Sequence, residues 1–198
     1  NNLTFTQNRF TFDQDNKTKE SWIVPITYKT DTGESSTFLL DSKKKTFTAP
    51  KFFNYININS NQSSFFITSY CDELLSRLFI PVLHKRLSAV DRLALLRDLH
   101  YNLLAQNIDP VQVLKFLEAY IDETEYIVWV EIASIFSTLR KIVKGTKSFE
   151  KFESYVRDLI NPTFDRLGYN KITNESNLDV LLRGMILSIS SLYNLPKV

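Results

Sequence analysis

From the N-terminus to about Tyr70 the apolar residues recur with a period of two. Trp22, Val24, Ile26 and Tyr28 fall on one side of an extended chain, Phe10 and Phe12 alternate with Arg9, Thr11 and Asp13, and Ile56 and Ile58 alternate with Asn57 and Asn59. This is the pattern of half-buried antiparallel strands. Thr30-Asp31-Thr32-Gly33 supplies turn chemistry between stretches 22–29 and 34–40, which predicts a hairpin, while Lys43-Lys44-Lys45 reads as a solvated turn. Pro25 lacks a backbone donor and predicts an edge position or a bulge. About seven short strands in this stretch point to a small antiparallel β-sandwich.

After Tyr70 the period changes to about 3.6. Ser88 and Asp91 resemble a capping box, with Asp in place of the usual Glu, ahead of Leu93, Leu96, Leu99 and Leu103. Asp109-Pro110 is an N-cap followed by proline at the first helical position, ahead of Val113, Leu114, Leu117 and Ile121. Phe149, Phe152, Val156 and Leu159 mark a later helix, and Leu178, Leu181, Leu182, Met185 and Ile189 another. Over 124–143 one stripe is Val128, Ile132, Ile135, Leu139 and Ile142, a second is Tyr126, Trp129, Val130, Ala133 and Phe136, and only Glu131, Ser134, Thr138 and Lys141 are polar. A helix apolar over most of its girth is packed between neighbours. No glycine occurs between Gly33 and Gly145, which suits consecutive helices joined by short polar connections.

Composition sharpens the division. There are 3 Leu and 11 Thr up to Tyr70, and 22 Leu and 5 Thr after it, so a strand-favouring half precedes a helix-favouring half. The expected fold class is α+β in two domains: a β-sandwich over 1–70 and an all-α array resembling a short α-solenoid over 71–198, incomplete at its C-terminal end. The start at Asn1-Asn2, without methionine, leads us to expect a fragment.

Charge and rare residues narrow the chemistry. With 24 basic and 22 acidic residues the net charge is +2, which excludes a nucleic-acid reader working by bulk charge. One cysteine, Cys71, allows no internal disulfide and reads as a small buried hydrophobe; this slightly favours a cytoplasmic setting over the secretory pathway. The sequons at Asn2, Asn16, Asn61 and Asn174 are close to chance for 15 asparagines. The most apolar stretch, 126–130, is far shorter than the ~20 residues that span a bilayer.

No catalytic constellation emerges. His84 and His100 begin no His-Glu-x-x-His motif, and Cys71 has no partner at a metal-ligand spacing. The four glycines, Gly33, Gly145, Gly168 and Gly184, are too dispersed for a phosphate-binding loop. Asp122, Glu123 and Glu125 read as carboxylates favoured by a helix N-terminus, and Lys141, Lys144, Lys147 and Lys151 as a basic, solvated helix end.

Six strings in order nevertheless resemble the C-terminal half of the zinc aminopeptidases related to aminopeptidase N and the endoplasmic-reticulum aminopeptidases. They are Gln7-Asn8-Arg9-Phe10, Trp22-Ile23-Val24-Pro25-Ile26-Thr27-Tyr28, the stretch Ser64 to Tyr70 (where Ser64 and Ile67 replace the family's Gly and Arg), the stretch Leu87 to Asp98, Glu123-Thr124-Glu125-Tyr126-Ile127-Val128-Trp129, and Asp165-Arg166-Leu167-Gly168-Tyr169 with Leu181-Leu182-Arg183. The resemblance implies a sandwich domain plus the first helices of a helical domain. That family's zinc-binding, amine-binding and catalytic motifs belong to a preceding domain, and none of those strings occurs here. The implied function is therefore a noncatalytic piece of a zinc aminopeptidase: a spacer sandwich and part of a helical lid over the active site, inactive alone. It would itself hold no cofactor or metal. Its implied partners are its own missing catalytic domain, which holds the zinc, and the peptide substrate, toward which Lys141 is the candidate residue. The alternative reading is a free-standing interaction module with a concave helical surface.

Overall fold

The computed structural model describes residues 2–13, 20–48 and 52–196. The sequon at Asn16 lies outside them. The architecture is α+β: a small antiparallel β region of two sheets, then six helices. The chain forms two compact units, Asn1–Asp109 and Pro110–Val198.

The first unit contains five strands among the described residues, where about seven were expected: β1 (Asn2–Thr6), β2 (Val24–Thr30), β3 (Ser35–Leu40), β4 (Lys44–Thr48) and β5 (Ile56–Ile58). Sheet orders are β1-β4 and β3-β2-β5. The hairpin of β2 and β3 turns at the expected residues, with Gly33 at φ 82 and Thr30 N–H donating to Glu34 O at 2.9 Å. Ile26, Tyr28, Leu40, Ile56 and Ile58 form its core, joined by Leu3, Phe5, Phe38 and Phe47. The two sheets meet through rings, Phe38 stacking on Phe47 at 4.6 Å and Phe5 standing edge-on to Phe38 at 5.0 Å. A sandwich results, as the period of two predicts.

Three local expectations are corrected. Residues 9–13 form no strand; Phe10 packs against Phe12 at 5.3 Å and Tyr101 at 5.9 Å, so ring contacts replace a ladder. The lysine run is not all turn, because Lys44 and Lys45 pair with Thr6 and Phe5. Lys45 lies opposite Phe5, yet its Nζ reaches Leu39 O (2.9 Å) and Asp41 Oδ1 (3.0 Å), a long stem carrying its charge out of the sheet. Pro25 sits in the middle strand of its sheet, but β5 pairs only with Tyr28 to Thr30. The Pro25 carbonyl instead accepts from Ser64 Oγ at 2.7 Å, so the missing donor faces a locally open edge.

Two helices complete this unit, α1 (Asp72–Leu83) and α2 (Ala89–Leu104). Cys71 precedes α1 as its N-cap residue and is exposed, not buried, because the chain enters the helix from the surface there. The second unit holds α3 (Pro110–Leu117), α4 (Tyr126–Val143), α5 (Phe149–Leu167) and α6 (Asn177–Leu192). As the stripes predict, Val128, Trp129, Ile132, Ile135, Phe136 and Leu139 of α4 are buried, and α4 packs against both α5 and α6. Ile142, at the end of its stripe, is exposed.

Glycine-poor sequence has a visible consequence at helix ends. Beyond α1, Lys85 N–H donates to Val82 O and Arg86 N–H to Pro81 O. Beyond α2, Gln106 pairs with Leu103 and Asn107 with Asn102; beyond α6, Asn194 pairs with Ser191 and Leu195 with Ser190. These are Schellman closures, whose left-handed residue is usually glycine. Here they are Lys85 (φ 52), Gln106 (φ 58) and Asn194 (φ 52). Replacing exposed Gln106 by Gly relieves the Cβ strain and should stabilise the protein by about 0.5–1 kcal/mol, read as a higher denaturation midpoint; an unchanged or lower midpoint would refute this strain.

Candidate functional site

The resembling strings converge on buried polar tethers. In the first unit, one face of α2 holds the segment between β5 and α1. Asp91 Oδ1 accepts from Asn61 N–H at 2.7 Å, Asp98 Oδ2 accepts from Thr68 N–H at 3.0 Å, and Asn102 Nδ2 donates to Thr68 O at 3.0 Å. The predicted capping box is present, Ser88 Oγ accepting from Asp91 N–H at 3.1 Å and donating to Asp91 Oδ2 at 2.8 Å. Asp serves in place of Glu because its second oxygen is spent on Asn61 rather than on the helix's own N-terminus. Arg92 Nη1 donates to Leu87 O at 2.8 Å.

Gln7 plays the corresponding part at the sandwich edge. Its Oε1 accepts from Trp22 N–H (2.8 Å) and its Nε2 donates to Trp22 O (2.8 Å) and Ser42 O (2.9 Å). This amide grips Trp22 like a neighbouring strand, although Trp22 precedes β2 and is 43% exposed.

In the second unit Glu123, 2% exposed, is the N-terminal anchor of α4. Its Oε1 accepts from the N–H groups of Thr124 (2.8 Å) and Glu125 (3.0 Å), and its carbonyl accepts from Trp129 Nε1 (2.9 Å). The acidic cluster thus follows the helix-terminus reading, with Glu123 rather than the exposed Asp122 carrying it. Arg183 forms a two-oxygen pair with Glu175 and donates through Nε to Leu167 O at 3.1 Å. The hydrogen bonds from Arg183 hold the Glu175 carboxyl below its usual range. Ser176 and Asp179 repeat the Ser88–Asp91 box at the start of α6, with Asp179 also accepting from Arg166 at 3.1 Å. That Ser-x-x-Asp spacing is visible in the sequence and marks a helix start that apolar periodicity alone misses.

The remaining candidates stay apart. Lys141 lies exposed in the last turn of α4, where a cation complements the free carbonyls of a helix end, and Lys144, Lys147 and Lys151 are exposed around the turn into α5. His84 closes α1 on the surface and His100 is half-buried in α2. Among the described residues no group of three or more His, Cys, Asp or Glu could hold a metal ion. No helix among them is long and apolar enough to cross a membrane. The described residues thus offer no donor set that fits a zinc centre.

Asp98 is the one strongly perturbed acid among the tethers. Burial pushes its carboxyl up to about 6, only partly offset by the Thr68 hydrogen bond. A folded-state value above the unfolded one means that its contribution to stability is complete below about pH 4 and is lost as pH rises through about 6. Asp98→Asn should therefore flatten the pH dependence between those limits and raise stability above pH 7 by up to about 3 kcal/mol. Denaturation at a series of pH values reads this, and a variant with the parent's pH slope would remove Asp98 as its source.

A family model described as the ERAP1-like C-terminal domain matches residues 55–198. Aminopeptidase M1-A of Oryza sativa subsp. japonica is 31% identical over 180 residues, covering 84% of this chain and 20% of its own length. Puromycin-sensitive aminopeptidase of Caenorhabditis elegans is 27% identical over 194 residues (93% and 20%), and the alanine/arginine aminopeptidase of Saccharomyces cerevisiae 29% over 175 (86% and 20%). The chain thus spans about a fifth of the length of these curated relatives. With the match covering most of the chain and falling on the segments that carry the tethers of α2, α4 and α6, this protein belongs to the ERAP1-like C-terminal domain family.

Proposed function

We propose that this chain is a noncatalytic part of a zinc metallo-aminopeptidase, in which residues 1–70 act as a spacer and 71–198 contribute to a helical cover over the active site. The observation that carries the reading is the match to aminopeptidases over most of this chain but only a fifth of each relative. The polar residues of the resembling strings support it, since they are consumed in holding backbone segments together rather than converging on a cleft. In such an enzyme the metal would activate water in a separate domain. What this chain would supply is a wall that restricts entry and excludes solvent during hydrolysis.

The substrate would be a peptide losing residues from its N-terminus. Lys141 is the residue assigned to face it: exposed, and continuing the polar stripe of Glu131, Ser134 and Thr138 along α4. A lysine contacting the distal part of a peptide would add binding without touching the reacting atoms.

In the intact parent enzyme, Lys141→Glu should raise KM several-fold for peptides long enough to reach it, leaving kcat and the hydrolysis of single aminoacyl chromophores unchanged. Equal effects on both substrate classes, or none, would remove Lys141 from substrate contact. The present chain alone should release no aminoacyl chromophore. A coding sequence with no His-Glu-x-x-His motif upstream would overturn the enzyme reading in favour of an independent interaction module.

A further inference from the structure

Within the first unit an open cleft of about 600 Å3 is lined by Asp31, Phe53, Asn54, Tyr55, Arg77, Ile80, Pro81 and Arg86. None of these residues belongs to the tethers described above. Its size is in the range of small-ligand sites. Phe53 and Tyr55 are half-buried and Pro81 is buried, so one side of the cleft is apolar and held in place.

The polar groups are positioned by backbone structure. Asp31, in the β2–β3 turn, accepts from Asn54 N–H at 2.8 Å and Asn54 Nδ2 at 2.6 Å, which pins the Phe53–Tyr55 wall. Its carboxylate is thereby committed to the protein's own donors. Arg86 is set by the Schellman closure of α1, its N–H bound to Pro81 O at 2.8 Å. Among the described residues no ion pair engages the Arg86 guanidinium. Among the described residues Arg77 pairs with Glu73 of its own helix, at 2.6 Å, with the two side chains 41% and 73% exposed. An exposed pair of this kind is weak and exchangeable. Arg77 and Arg86 thus line the same cleft as Phe53 and Tyr55, and the acid in that lining, Asp31, is already satisfied. Guanidinium forks match carboxylates, and the wall would cover an apolar body attached to one.

We propose that this cleft binds a carboxylate carried on an aromatic or branched apolar body, the anion held by Arg77 and Arg86 and the body lying against Phe53, Tyr55 and Ile80. The acid could be a free small molecule or an acidic side chain beside an aromatic one in a polypeptide. The site does not depend on the aminopeptidase reading.

The test is an NMR titration of the isotope-labelled chain with 3-phenylpropionate, with 3-phenylpropanamide, and with N-acetyl-Glu-Phe-amide. The free acid should shift signals of Tyr55 and of α1 residues near Arg77 and Ile80, and should bind about tenfold more tightly than its amide, as one lost charge-assisted hydrogen bond dictates. Arg77→Gln with Arg86→Gln should reduce the acid's affinity to that of the amide; both side chains are exposed, and an unchanged melting temperature verifies the fold. Tighter binding of the dipeptide would assign a polypeptide source, and tighter binding of the free acid a small-molecule source. Equal binding of acid and amide, unchanged affinity in the double variant, or no shift at millimolar concentration would each overturn the proposal.

Discussion

The capture of one short segment by one face of α2 is the constraint on which the first unit rests. Between β5 and α1 the chain has no strand partner, and buried peptide groups without partners are costly. Asp91, Asp98 and Asn102 supply the missing partners at Asn61 and Thr68. With the segment so held, Phe66 and Tyr70 are packed against the sandwich core, and the Tyr70 hydroxyl accepts from Ile58 N–H at 2.8 Å, finishing β5. A helix thereby completes a sheet that is too small to enclose its own core. The cost is visible in Asp98, whose carboxyl is raised because burial disfavours the charge that its hydrogen bond prefers.

The second unit uses the same device at its own joints. Glu123 ends the approach to α4 by turning its carboxylate onto the next two backbone donors, and Trp129, fully buried, returns its indole N–H to the Glu123 carbonyl. Arg183 ties the end of α5 to the loop before α6 through Leu167 and Glu175. Arg140 lies over the rings of Phe149 and Tyr193 at 5.3 and 5.6 Å, so even a charged residue of α4 contributes as a packing element. The strings that resemble aminopeptidase motifs thus serve connection within this chain. A catalytic motif requires convergence on a substrate, whereas these residues converge on backbone.

Helices α2 to α6 and the hairpin were legible because their signals are local, whereas no signal was read for α1. The Ser88 cap, the Asp109-Pro110 start and the Gly33 turn depend on residues within one turn of each other, and the α4 stripes record which side is buried. β1 was not legible: Asn2 to Thr6 has only Leu3 and Phe5 to show alternation, and its pairing with Lys44 to Thr48 joins residues some forty positions apart. The Arg9 to Asp13 stretch shows the converse. It alternates correctly yet forms no ladder; Phe10 packs instead on Phe12 of the same stretch and on Tyr101.

The same division runs through the polar residues. Composition and periodicity sufficed to establish a strand-rich part followed by a helix-rich part, and the sequence carries no local metal-binding or phosphate-loop motif. Tertiary structure alone decided that Asp91 reaches Asn61, that Gln7 grips Trp22, that Cys71 is exposed, and that Arg77 and Arg86 border one cleft. The physical reason is range. Propensity, capping and apolar period act over a few residues, whereas the partner of a buried polar group is chosen by whichever distant backbone donor the packed chain leaves unsatisfied.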